Sequence, residues 1–191
     1  EQGEIRRRYS GGAEYYLHVG AIQPRKNVAN LLRAFDRFKR SSGCDSKLLL
    51  AGRLAWKYRE VVRLHAAMQH RDDVRFLGYL PRPELARVLA SARALACVSL
   101  YEGFALPVAE AMKCGVPVIG STAAAIPEVA GDAALLVDPR DPEAIAAALA
   151  ELAADPTRCA DLAARGRARV ARFDWNATSA ALWRMLAAGA R

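Results

Sequence analysis

Residues 99–117 read SLYEGFALPVAEAMKCGVP, a loop followed by a helix with an acidic residue in each. Residues 94–98, directly before this stretch, are apolar throughout, which is typical of a strand buried in a parallel sheet. Residues 105–114 are strong helix formers, and Gly115 and Pro117 end that pattern. The stretch therefore predicts one strand, loop and helix unit.

The same unit recurs along the chain, with several apolar strands ending at a glycine and leading through a polar loop into a helix. This alternation predicts the α/β class, a doubly wound, Rossmann-like parallel sheet with helices on both faces. Further helices at 142–154, 157–172 and 175–187 are expected to pack at the edge of the domain. The six strands are predicted at residues 15–19, 47–51, 74–77, 94–98, 116–119 and 135–137.

The length and the net charge of the chain limit the classes of protein to which it could belong. The 191 residues suit one domain, for which we predict residues 15–191, after a linker at residues 1–14 that suggests a fragment of a longer protein. The net charge of +8 favours an anionic partner, which leaves phosphorylated small molecules, an acidic membrane surface and nucleic acid open.

The cysteines and the hydropathy pattern indicate a cytoplasmic protein. No CxxC pair or zinc-ligand spacing is present, so reduced thiols are expected. Neither a signal peptide nor a membrane-spanning apolar run is present in these 191 residues. The cysteines are Cys44, Cys97, Cys114 and Cys159.

In a doubly wound sheet, ligands bind beyond the carboxyl ends of the strands, which selects the loops at 20–27, 52–57, 78–83, 99–104 and 120–128. Arg25 and Lys26 precede a helix, where a guanidinium and an ammonium could bind a diphosphate. Solvated surface charges are an equally weighted alternative. The first loop lacks the GxGxxG fingerprint, which disfavours nicotinamide or flavin binding.

Glu102 and Glu110 form a second candidate site. The apolar neighbours of Glu110 predict a buried carboxylate that needs a partner, such as a ribose diol. The alternatives are two solvated charges, or an acid and base pair for glycosidic hydrolysis. Gly103 would allow close backbone approach, and the N–H groups of residues 104–106 at the helix start would favour an anion.

Six blocks together resemble the retaining GT-B glycosyltransferases of the GT4 group, in particular their C-terminal, donor-nucleotide-binding domain, which is one half of the GT-B fold. They cover nearly the whole chain, and the spacing of Glu102 and Glu110 matches the E-x7-E motif of that group. The blocks are VGAIQPRKN, LLLAGR, VRFLGYLPRPEL, SLYEGFALPVAEAMKCGVPVIGS, IPEVAGDAALLVDPRDPEAIAAAL and FDW.

The resemblance implies a role for each matching residue. Glu110 would bind the donor ribose, Glu102 would lie near the donor sugar hydroxyls, and Lys26 would bind the diphosphate. Because Ala21 stands where the group has an arginine, that charge is assigned to Arg25. The remaining donor-binding residues implied are Gly20, Gly103, Phe104, Ala105, Leu106, Tyr79 and Leu80, the last two meeting the nucleobase through their backbone.

The implied activity is transfer of a hexose from a nucleotide diphosphate sugar to a polysaccharide or lipid-linked acceptor, without a required metal or cofactor. GDP-mannose is the first candidate donor and a UDP-sugar the second. The resemblance implies that the N-terminal acceptor domain lies outside this chain, so the isolated fragment is expected to be inactive. It also implies that the protein could attach at the inner face of a membrane. The alternative is a non-catalytic module that binds phosphorylated ligands or anionic surfaces, and nucleic-acid binding ranks last because no recognition motif is present.

Overall fold

The computed structural model of this protein describes residues 1–189, and the last two residues of the predicted domain lie outside the described part. Six parallel strands form one sheet in the order β3-β2-β1-β4-β5-β6. The predicted six-stranded α/β sheet is confirmed. The strands are β1 Tyr15–Val19, β2 Lys47–Ala51, β3 Val74–Gly78, β4 Ala94–Cys97, β5 Val118–Ser121 and β6 Leu135–Val137.

Strand β5 begins two residues later than the sequence pattern indicates. The backbone N–H of Val116 donates to Ala111 O, at the end of the preceding helix, rather than to a neighbouring strand. Pro117 has no N–H, although its carbonyl accepts from Leu95 N at 2.9 Å. Regular pairing with β4 therefore starts at Val118.

Helices cover both faces of the sheet, as expected for strands that are apolar on both sides. Tyr16 packs with α2 and α7 in one hydrophobic layer, whereas Tyr15 and Leu17 pack with α1, α4 and α5 in the other. The helices are α1 Gln2–Ser10, α2 Val28–Ser42, α3 Arg59–Ala67, α4 Arg82–Ala90, α5 Leu106–Lys113, α6 Ile126–Ala130, α7 Pro142–Ala154, α8 Pro156–Val170 and α9 Trp175–Gly189.

The N-terminal segment differs from the linker predicted at residues 1–14, because most of it forms helix α1. Ile5 is buried in the layer with α4, and the Tyr9 hydroxyl donates to Glu84 Oε1 at 2.7 Å. Gly11 ends the helix in the left-handed conformation. These contacts hold the polar, arginine-rich segment against α4, which is distant in sequence. Its role in joining another domain stays a prediction.

The C-terminal helices cover different parts of the domain. Helix α7 packs on α2, and α8 packs on α5. On α9, by contrast, Leu182, Trp183, Met185 and Leu186 are exposed. Among the described helices, none combines the length and the apolar composition that crossing a membrane would require.

Candidate functional site

The candidate site lies where the strand order reverses, between the central strands β1 and β4. The loop after β1 carries Arg25 and Lys26, and the loop after β4 carries Glu102. The backbone N–H of Leu100 donates to Arg25 O at 2.8 Å, which joins the two loops directly. The parallel sheet thus brings Glu102 to Arg25 and Lys26, which lie 77 and 76 positions before it in sequence.

Glu102 is the centre of this cluster. Its Oε1 accepts from Lys26 Nζ at 2.6 Å and from Ser99 Oγ at 2.6 Å, and its Oε2 accepts from Arg25 Nη1 at 2.9 Å. Arg25 Nη1 also donates to Tyr101 O at 2.6 Å. Glu102 and Lys26 are each only 7% exposed. The alternative that a residue is a solvated surface charge therefore does not hold for these two.

The environment of Glu102 keeps its carboxylate ionised. Burial by itself would raise the pKa of Glu102, but the hydrogen bonds from Lys26, Ser99 and Arg25 outweigh burial and hold that pKa below its usual range. Two cations facing one carboxylate leave a positive balance of one charge in the cluster. The site can therefore accept an additional anion.

The conformation of the loop that carries Lys26 is fixed by the residues on either side of it. Pro24–Lys26 form one 3-10 turn, and Asn27 follows in the left-handed conformation, φ 58°. The Asn27 side-chain amide donates to Val98 O at 2.9 Å and to Pro139 O at 2.6 Å, which anchors the turn to the sheet. A Cβ at Gly20 would lie 2.8 Å from Lys26 Cε, so glycine there makes room for the lysine side chain.

The start of helix α5 faces the same loops. The helix begins at Leu106, one residue later than predicted, because Ala105 adopts a left-handed conformation with φ 62° and serves as the N-cap residue. Within residues 1–189, the backbone N–H groups of residues 103–106 donate no hydrogen bond. Such unpaired donors at a helix start, beside the positive end of the helix dipole, suit an anion.

Glu110 does not have the buried setting predicted from its apolar neighbours. Val108, Ala111 and Met112 form the buried face of α5, and Glu110 lies on the exposed face. Residues that are neighbours in sequence point to different faces of a helix, so the apolar neighbours of Glu110 do not predict its burial. Glu110 forms no salt bridge within the described residues, so its carboxylate is accessible to a ligand.

Tyr79 and Leu80 follow β3, at the same edge of the sheet. Tyr79 is exposed and Leu80 is half-buried. The loop after β2 is joined to the end of β3 by the bond from Gly52 N to Gly78 O, 2.8 Å. Within residues 1–189, no hydrogen bond or ion pair connects Tyr79 or Leu80 with the charged cluster, so their role stays a prediction.

Two residues of the cluster were not assigned a role from the sequence. Ser99 binds Glu102, and Asn27 anchors the loop of Lys26. The only signal in the sequence is that both are polar residues in predicted ligand loops, and the partners of Asn27 are distant in sequence. His18, in β1, is buried near the site, where burial and then the Lys26 ammonium lower its pKa to about 4.

Comparison with known proteins supplies the context for this geometry. The model of the family described as glycosyl transferases group 1 matches residues 4–169. The O-antigen chain mannosyltransferase B of Escherichia coli is 37% identical over 161 residues, covering 84% of this chain and 42% of that protein. This chain thus spans less than half the length of that relative.

Solved structures share the fold. Sucrose-phosphate synthase from Thermosynechococcus elongatus superposes with a TM-score of 0.82 at 30% identity, covering 97% of this chain and 49% of that chain. HepE from Anabaena, solved in complex with UDP and glucose, superposes with a TM-score of 0.86 at 20% identity, covering 98% and 52%. At that lower identity the likeness shows the fold alone.

These matches agree with the expectation of one half of a GT-B enzyme. The family model covers most of the chain, including both loops of the charged cluster and the whole of helix α5. The chain belongs to the glycosyl transferases group 1 family.

Proposed function

We propose that this chain is the donor-binding domain of a retaining hexosyltransferase, and that it holds a nucleotide diphosphate sugar at the junction of the β1 and β4 loops. The observation that carries the proposal is the cluster of the buried Lys26 and Glu102 with the partly exposed Arg25, beside the unpaired N–H groups of residues 103–106. It combines fixed positive charge with free backbone donors, the two features that a diphosphate requires.

The roles in this proposal follow the resemblance. Lys26 and Arg25 stabilise the negative charge that develops on the leaving nucleoside diphosphate, an electrostatic contribution that needs no protein nucleophile. Glu102 contacts the donor sugar hydroxyls, and the exposed Glu110 binds the ribose. Glu102 also holds the two cations in place before the donor arrives, so the site is preorganised.

Mannose is our first choice for the transferred sugar, with GDP-mannose as donor. The relative named O-antigen chain mannosyltransferase B supports mannose, and HepE in complex with UDP and glucose is the reason to keep a UDP-sugar as the second choice. The acceptor in this proposal is a polysaccharide or a lipid-linked sugar, bound together with an N-terminal domain outside this chain. We place the enzyme in the cytoplasm, at the inner face of the membrane, where the positive charge of the domain would favour anionic lipid.

A nucleotide panel tests the proposal. We expect GDP, UDP or ADP, or one of their common sugar conjugates, to raise the melting temperature of the chain, because a ligand that binds only the folded state stabilises it. Weak binding and no sugar transfer are expected without the other half of the cleft. If none of these nucleotides binds, the proposal is wrong.

A variant of Glu110 sharpens this test. Glu110→Ala should weaken nucleotide binding about tenfold or more, as expected for the loss of hydrogen bonds to a charged group. Glu60→Ala is the matched control, since Glu60 is an exposed helical glutamate on α3. Unchanged nucleotide affinity in Glu110→Ala, with retained binding to anionic vesicles, would instead favour the non-catalytic module.

A further inference from the structure

We propose that Phe173 is a positioning residue for the donor, and that it acts through Phe104. The inference rests on the proposed function, in which the backbone N–H groups of residues 103–106 face the diphosphate. Phe173 lies between helices α8 and α9, in a segment to which the proposed function assigns no residue. Its ring joins that segment to residues 102–105, which we call the donor loop.

The rings of Phe104 and Phe173 make an edge-to-face contact. Their centroids lie 5.5 Å apart and their planes meet at 81°, so the positive edge of one ring faces the negative face of the other. Phe104 is 43% exposed and Phe173 is 39% exposed. Because both rings stay partly exposed, their contact adds little to the stability of the domain, and its main consequence is the position of the donor loop.

The middle of the donor loop has no backbone support. The first residue is held by the bonds of the Glu102 side chain and by the bond from Ala125 N to Glu102 O at 3.4 Å. The last residue, Ala105, is buried in the layer that contains α5. Among the described residues, the backbone of Gly103 and Phe104 forms no hydrogen bond, and glycine has wide conformational freedom. The Phe104 ring is therefore the group through which this part of the loop is held.

Phe173 lies on a support that is fixed to helix α6. Arg169, near the end of α8, donates from Nε to Val129 O at 3.1 Å and from Nη2 to Glu128 O at 2.5 Å. Phe173 N donates to Val170 O at 3.0 Å, which turns the chain directly after α8. The position of the Phe173 ring is thus set by the anchoring of α8, and not by the donor loop that the ring touches.

Helix α8 also packs on α5, the helix that follows the donor loop. A Cβ at Gly166 of α8 would lie 3.0 Å from Met112 Cγ of α5, so the two helices are in close contact. The Phe173 ring and α5 therefore belong to one packed unit, against which the donor loop is held. Without the ring, a ligand would have to order residues 103 and 104 itself, and that ordering lowers its affinity.

Phe173→Ala tests the inference by calorimetry. The ligands are GDP, UDP or ADP, whichever binds the wild-type chain most tightly, and the matching nucleoside monophosphate. We expect the variant to bind the diphosphate about threefold or more weakly, as expected for the loss of a ring pair. Its affinity for the monophosphate should be unchanged, because that ligand lacks the distal phosphate that the donor loop would bind.

NMR relaxation of the backbone amides in the free chain measures the donor loop directly. In Phe173→Ala, the amides of residues 103–105 should become more mobile on the picosecond to nanosecond timescale, while those of α6 keep their wild-type values. The melting temperature of the free chain should stay close to that of wild type, since the ring is partly exposed.

Three further variants separate positioning from a general effect on the fold. Phe173→Tyr keeps the ring and should restore diphosphate affinity, and the double variant of Phe104→Ala with Phe173→Ala should bind no more weakly than either single variant, since both remove one contact. Phe76→Ala is the matched control. Phe76 is 37% exposed and makes an edge-to-face contact with His65 at 5.1 Å, and its loss should leave the ratio of diphosphate to monophosphate affinity unchanged.

Three outcomes would overturn the inference. They are wild-type diphosphate affinity in Phe173→Ala, an equal loss of affinity for the diphosphate and the monophosphate, and unchanged amide mobility in residues 103–105 of the free variant. Failure of the wild-type chain to bind any nucleotide would instead overturn the proposed function, and the relaxation measurement would still decide whether Phe173 holds the donor loop.

Discussion

Lys26 Nζ lies 2.6 Å from Glu102 Oε1, and the two residues come from loops that are 76 positions apart in sequence. Both side chains are buried, so each charge depends on the other for the solvation that water would otherwise supply. The contact links the stability of the domain to the site proposed for the donor.

We therefore expect Lys26→Met to destabilise the fold as well as to weaken nucleotide binding. The variant leaves the buried Glu102 carboxylate with Ser99 and Arg25 only, which should lower the free energy of unfolding by about 2–3 kcal/mol. Urea denaturation at neutral pH measures this change.

The control for that loss is Arg37→Met, which removes an exposed salt bridge from Arg37 to Glu143. Exposed pairs contribute little, so its free energy of unfolding should change by less than about 1 kcal/mol. Equal losses in the two variants would show that the Lys26–Glu102 pair has no special role in stability.

The buried His18 should make the fold sensitive to mild acid. Its pKa is lowered from 6.5 to about 4, so between these values the unfolded chain binds a proton that the folded chain does not. The free energy of unfolding should therefore decrease as the pH falls from about 6.5 to about 4, by about 3 kcal/mol in total. Urea denaturation of wild type across this pH range measures the slope.

His18→Leu removes this titration and should flatten the slope in that pH window. Glu102 affects the free energy of unfolding at a lower pH than His18 does. Its pKa is lowered from 4.5, so the stabilisation by its ionised carboxylate is lost only as the pH falls through that lowered value. Glu102→Gln should thus alter the pH dependence below the window of His18. A slope between about pH 4 and 6.5 that is unchanged in His18→Leu would contradict the prediction.

Ala124→Gly should stabilise the protein. Ala124 has φ 53° and is exposed, so glycine would relieve the left-handed conformation without removing buried surface. An increase of about 0.5–1 kcal/mol in the free energy of unfolding is expected.

Two alanines serve as comparisons for Ala124→Gly. Ala105 also has a positive φ but is buried, so the methyl group lost in Ala105→Gly offsets the relief and the net change should be smaller. Ala147 is exposed within helix α7, where Ala147→Gly should destabilise by about 1 kcal/mol. A destabilised Ala124→Gly would contradict the argument.

Alanine at Gly20 should affect the stability of the free protein, whereas alanine at Gly103 should not. Gly20 has φ 140°, and a Cβ there would press on Lys26 Cε, so Gly20→Ala should lower both stability and nucleotide affinity. A Cβ on Gly103 meets nothing within 4 Å, so Gly103→Ala should keep the melting temperature of the free protein.

Nucleotide binding distinguishes the role of Gly103. Under the proposed function, the donor approaches the backbone of Gly103 closely, so Gly103→Ala should weaken binding of the nucleotide sugar although the fold is unaffected. Calorimetry with both variants checks this. Wild-type affinity in Gly103→Ala would remove that residue from the donor site.

Local patterns in the sequence were sufficient for the strands, most helices and the loops that carry the site. Apolar runs that end at glycine define the strands, and the spacing of apolar residues defines α2, because these signals depend on neighbours in the chain. The charge and position of Arg25, Lys26 and Glu102 could also be interpreted locally, together with the resemblance of their motifs to a known family.

Only the tertiary structure decided which side chains meet and which are exposed. The strand order places β1 beside β4, and this neighbour relation buries Glu102 against Lys26 and Arg25. Helix α1, residues 2–10, packs against α4. The orientation of α5 leaves Glu110 on its exposed face. Local sequence patterns cannot predict these contacts, because the burial and pairing of side chains depend on segments that only the folded sheet brings together.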